Sequence, residues 1–136
     1  MSTIKKLEDL EIWKEALNLG KLIYRLTEKL PKSEEYNLKK HLKENARGFP
    51  ANIAEGFSRY FQKEKLHFYG IARGCLGEMK SDIYFTFQTY PKILDKKLFG
   101  EYLEKIDRIG KKLNAFIKTT HISSPPNSTD QTNLTN

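Results

Sequence analysis

One cysteine among 136 residues, Cys75, rules out an intramolecular disulfide, so folding rests on a buried core, which a chain of this length can supply as one domain. No stretch approaches the ~20 consecutive apolar residues that a membrane-spanning helix needs. Lys5 and Lys6 are not followed by the apolar run of a secretory leader. The expectation is a soluble cytoplasmic protein without membrane contact. A glycine-rich phosphate loop, a clustered cysteine–histidine set and a nucleophile elbow are all missing. Glu64-Lys65-Leu66-His67 has the Glu-x-x-His spacing of di-metal carboxylate bundles, but such sites use it twice, and neither His41 nor His121 follows an acid by three residues. No metal, no cofactor and no enzymatic activity are therefore expected. A catalytic site on Glu55, Glu78 and His67 has no motif behind it.

Positive charge is abundant. Twenty-four Lys and Arg face 17 Asp and Glu, giving a net charge of +7 and a pI near 9.4, which suits an anionic partner such as nucleic acid. Apolar periodicity is the other positive signal. Ile12, Ala16, Leu19, Ile23, Leu26 and Leu30 repeat at intervals of four and three, predicting a helix from Leu7 to Leu30 that Pro31 ends. Leu10, Trp13, Leu17 and Tyr24 widen its apolar face enough to touch a third helix or another subunit. A second helix is predicted from an N-cap at Ser33, with Leu38, Leu42, Ala46, Phe49 and Ile53 as its buried row. A third is predicted from Gln62 to Tyr90, and a fourth from Asp95 to Thr120 with Phe99, Leu103, Ile106, Leu113 and Ile117 inward and Tyr102, Ile109 and Phe116 flanking. The fold class is all-α, an antiparallel up-down four-helix bundle over residues 1–121, followed by a disordered tail, 122–136, rich in Ser, Pro, Asn and Thr. The glycosylation-like triplets Asn127-Ser128-Thr129 and Asn133-Leu134-Thr135 fall in that tail and read as accidents of composition.

The stretch Pro50-Ala51-Asn52-Ile53-Ala54-Glu55-Gly56 organises the rest. Proline lacks an amide hydrogen and crowds the carbonyl of Ala46, so the helix is expected to kink or restart there and to stop at Gly56. Glu55 lies near a helix C-terminus, where the dipole disfavours a carboxylate; Arg59 is its nearest partner. Asn52 and Glu55 are expected to hold the end of the second helix against the third helix or a neighbouring subunit by buried hydrogen bonds. Lys39, Lys43 and Arg47 form a basic stripe at intervals of four. Glu35 can pair with Lys39, but no acid precedes Lys43 or Arg47 by four, which leaves them for an external anion; the plainer reading is a solvated face. In the fourth helix Asp107 is assigned to Lys111, while Lys112 has no intrahelical acid. Three glycines, Gly70, Gly74 and Gly77, suggest that another backbone packs closely on the third helix. Cys75 reads as a small core residue.

Leu10-Glu11-Ile12-Trp13-Lys14-Glu15-Ala16, Leu30-Pro31, Tyr36-Asn37-Leu38, Pro50 to Gly56, and His67 to Glu78 together resemble the bacterial four-helix bundle proteins encoded within 23S ribosomal RNA intervening sequences. The resemblance spans roughly residues 7–118. It implies a ring-like homopentamer, and a related branch, the accessory variability protein of diversity-generating retroelements, implies nucleic acid and a reverse transcriptase as partners. Glu44 stands where the family usually has a second basic residue, and Tyr60-Phe61 where it has Gly-Ser. On that basis Lys39, Lys43, Arg47, Arg59 and Lys112 are the expected RNA- or DNA-binding residues, with Tyr60 and Phe61 able to stack on bases. The alternative is a structural adaptor for a partner protein such as a reverse transcriptase.

Overall fold

A computed structural model describes residues 5–122, with side chains as far as 120. Four α-helices lie among the described residues: α1 (Glu11–Glu28), α2 (Leu38–Ser58), α3 (Gln62–Thr89) and α4 (Lys96–Ile122). Each packs on the next, and α4 closes back on α1, as in an antiparallel up-down four-helix bundle. The predicted tail beyond Ile122, with its two Asn-x-Ser/Thr triplets, lies outside the described residues. None of the described helices is long and apolar enough to cross a membrane.

Periodicity explains the core. Ile12, Ala16, Leu19, Ile23 and Leu26 of α1 meet Leu42, Ala46, Phe49 and Ile53 of α2, and Ala72, Leu76, Met79 and Ile83 of α3. The predicted first helix is divided at its start. Leu7–Asp9 form a 3₁₀ turn, and extended backbone at Leu10 separates it from α1. Ser33 is not the N-cap of α2. Lys32–Glu34 form a separate 3₁₀ turn, Asn37 precedes α2 without a side-chain cap, and the Leu38 amide donates to Glu34 Oε1 at 3.3 Å. In α4 the inward row is Tyr102, Ile106, Ile109 and Leu113, with Phe99, Leu103 and Ile117 only half-buried. The Tyr102 hydroxyl donates to Leu22 O of α1 at 2.7 Å, so the row expected to flank the core turns into it.

Tertiary packing overrides both helix-breaking signals in α2. The helix runs through Pro50, which is buried. The ring removes the i+4 donor that Ala46 O would have used. That oxygen lies against Gly20 of α1, where an added Cβ would be 3.0 Å away. Gly56 does not end the helix either: α2 continues to Ser58, and no described glycine has a positive φ. Gly56 is needed because Tyr69 of α3 lies directly over it; a Cβ there would be 2.5 Å from Tyr69 Cε1. The end of α2 is held by Lys65, whose Nζ donates to Phe57 O at 3.0 Å, satisfying a final-turn carbonyl with a cation. Conversely, nothing lies within 4 Å of a Cβ added at Gly70, Gly74 or Gly77, so the predicted close packing is absent among the described residues. Gly20 and Gly56 are where helices approach.

Burial of tyrosines makes this core sensitive to alkali. The Tyr69 phenol is pushed up to about 12 by desolvation, and burial also raises Tyr102. A raised pKa means that the native state keeps a proton the unfolded chain releases. The stabilisation is complete below pH ~10 and is lost as pH rises toward 12. The melting temperature should hold from pH 7 to 9 and fall above 10, less steeply for Tyr69→Phe. Equal alkaline slopes for the variant and the native protein would remove Tyr69 as the cause.

Candidate nucleic-acid interface

Lys39, Lys43 and Arg47 come together because a spacing of four keeps them on one side of α2. They line an open concavity of about 380 Å³ with Lys40, Tyr24 of α1 and Tyr36 of the preceding loop. Two carboxylates temper it. Lys39 Nζ pairs with Glu35 Oε1 at 2.9 Å, and Lys40 lies 4.0 Å from Glu44. The hydrogen bond and charge of Lys39, with lesser help from Lys43 and Lys32, hold the Glu35 carboxyl below its ordinary range. Lys43 Nζ sits over the Tyr24 ring, 5.2 Å from its centroid, which orients the ammonium without neutralising it. Among the described residues neither Lys43 nor Arg47 is in an ion pair. Tyr36, 83% exposed, offers a free ring at the margin. The sequence reading missed Tyr24 and Tyr36 here: Tyr24 reads as part of the apolar face of the first helix and Tyr36 as part of a family motif, and neither reading places them beside the cations.

Arg59 and Lys112 lie elsewhere. Arg59 ends α2, about 18 Å along the axis from Arg47 at 1.5 Å per residue. Its guanidinium is engaged by Glu55 Oε2 at 2.6 Å and Glu64 Oε1 at 4.0 Å, and it covers the Phe68 ring at 4.9 Å. With Lys63, His67 and Phe68 it lines a second concavity of about 440 Å³, while Tyr60 and Phe61 stand exposed at the same turn, packed edge to face. Lys112, expected to lack a partner, reaches across from α4 to Glu15 of α1 at 2.6 Å. Asp107 likewise pairs with Lys80 of α3 at 2.8 Å rather than with Lys111.

The Pro50–Gly56 stretch supports the helix pair but not by buried polar contacts. Asn52 Nδ2 donates to Gly48 O of its own helix at 2.8 Å, and Glu55 is exposed. An exposed carboxylate–guanidinium pair contributes about 0.2–1 kcal/mol. Glu55→Ala should therefore shift the urea midpoint only slightly. A loss of several kcal/mol would restore a buried role. Cys75 packs against Gly48, and burial together with the charge of Glu78 pushes its thiol up, away from nucleophilic behaviour. Among the described residues no three His, Cys, Asp or Glu side chains are grouped to hold a metal.

Fold and surface define a basic, all-helical up-down bundle with a cationic concavity in which Lys43 and Arg47 lack carboxylate partners among the described residues. The chain matches the family of 23S rRNA-intervening sequence proteins over residues 8–115, and it belongs to that family. No curated protein sequence matches it.

Proposed function

We propose that this protein is a non-catalytic, cytoplasmic nucleic-acid-binding protein that works as a homo-oligomer, with the homopentamer implied by the resemblance as its form. The observation that carries this reading is the pair Lys43 and Arg47, two neighbouring cations without carboxylate partners, set between Tyr24 and the exposed Tyr36. Cations of this kind meet phosphates, and an exposed ring can stack on an unpaired base. Lys39 adds to the field while held by Glu35. A few phosphate contacts per chain are weak, but symmetric copies multiply them. Nothing in this arrangement reads base edges, so RNA and DNA are both candidates.

Binding to a labelled structured RNA and to duplex DNA across a salt series tests the reading. Affinity that falls steeply with salt supports it, and no binding at low salt defeats it. A second reading, an adaptor for a partner protein such as a reverse transcriptase, rests on apolar side chains exposed away from the cations, Ile71 and Phe85 among them. Partner capture that ignores salt would favour it.

A further inference from the structure

The outer surface carries two apolar faces that nothing among the described residues covers, and they differ in shape and charge. The first is a groove of about 660 Å³ between α1 and α2, floored by Trp13, Leu17, Gly20, Pro50, Ala51 and Ala54. Leu17 is 41% exposed there. The rim is cationic, with Lys21, Arg25 and Arg47, and the lining holds no acid. The second face is a stripe on α3. Ile71, Cys75, Glu78, Asp82 and Phe85 follow at intervals of four and three, so they share one side of the helix. Its ends are apolar and exposed, Ile71 at 41% and Phe85 at 53%, its middle is acidic, and the stripe holds no cation. Neither Glu78 nor Asp82 is in an ion pair among the described residues.

We infer that the α3 stripe of one copy docks in the α1–α2 groove of the next. This rests on the homo-oligomer reading above and names the surfaces that would make it. Charge complementarity selects a second copy as the occupant: Lys21 and Arg25 flank the apolar floor of the groove, and Glu78 and Asp82 sit between the apolar ends of the stripe, while Arg47, at the edge shared with the basic concavity, is not needed for the contact. Length agrees. At 1.5 Å per residue, Trp13 to Tyr24 spans about 16 Å and Ile71 to Phe85 about 21 Å. Such a contact is heterologous, joining two different faces. Repeated from copy to copy, it makes a ring where the rotation closes.

A mixing experiment tests the pairing, using sedimentation velocity and the fluorescence of Trp13, the only tryptophan of the chain, which lies in the groove. Leu17→Arg blocks the groove and Ile71→Arg blocks the stripe; both positions are exposed, and circular dichroism checks the fold. If Leu17→Arg does not fold, Lys21→Glu with Arg25→Glu replaces it. The native protein should sediment as an oligomer and each variant alone as a monomer. An equimolar mixture retains one intact groove and one intact stripe, so it should form a 1:1 dimer with a blue-shifted Trp13. Variants that keep the native oligomer size would overturn the inference while leaving the homo-oligomer reading intact. Monomeric variants whose mixture stays monomeric would show that the faces do not meet each other, and would also overturn it. A native protein that is monomeric at tens of micromolar defeats the homo-oligomer reading itself, and leaves both faces to some other partner.

Discussion

Gly56→Ala should destabilise the protein by about 1–2 kcal/mol, whereas Gly74→Ala should stabilise it by about 0.5–1 kcal/mol, although both replace a helical glycine with a better helix former. The difference lies in what the methyl group meets. At Gly56 it would stand 2.5 and 2.8 Å from two carbons of the Tyr69 ring and 3.1 Å from the backbone oxygen of Lys65. Tyr69 cannot swing away easily. It is 1% exposed, and Phe116 of α4 packs edge to face against it at 4.9 Å. Overpacking a filled core costs about 1–3 kcal/mol, more than the ~1 kcal/mol that alanine returns in helix propensity. At Gly74 nothing lies within 4 Å, so only the propensity gain remains. Urea midpoints of the two variants check this. Equal shifts of the same sign would mean that α2 and α3 do not approach at Gly56.

That pair of glycines also marks where sequence reasoning stops. Helix propensity and periodicity are local, and they placed α3 and α4 to within about two residues at each end, as well as the buried rows of α1 and α2. Glycine and proline carry two meanings that local rules cannot separate. Pro50 reads as a kink or restart and Gly56 as a stop, yet α2 is continuous through both, and Gly20 and Tyr69 on other helices settle what those positions must accommodate. In α4 two apolar rows lie side by side, and the choice between them depends on the Tyr102 contact with Leu22, 80 residues away. The same holds for charge. The Lys39–Lys43–Arg47 stripe was legible from its spacing, and so were the partners of Lys39 and Arg59, four residues off. Glu15, which holds Lys112 from 97 residues away, was not.

Lys43→Gln combined with Arg47→Gln should lower nucleic-acid affinity by at least about tenfold near 0.1 M salt and flatten the salt dependence. If each cation meets one phosphate, the slope of log K against log salt should shrink by roughly 1.8 per chain on duplex DNA, or roughly 1.4 on a single strand. Stability should change little, since neither side chain is in an ion pair among the described residues and Arg47 is exposed. Lys112→Gln is the informative control. It removes one positive charge, yet Lys112 is engaged by Glu15 at 2.6 Å, so its loss should leave affinity and slope near those of the native protein. Arg59→Gln should likewise have a small effect, because Glu55 and Glu64 already occupy the guanidinium. Long-range attraction alone would make all these cations interchangeable, each contributing according to its charge. A contact surface makes the unpaired two count and the paired two not. If Lys112→Gln weakened binding as much as the double variant, the nucleic acid would have to lie over α1 and α4 or respond only to net charge, and the concavity beside Tyr24 and Tyr36 would not be its site.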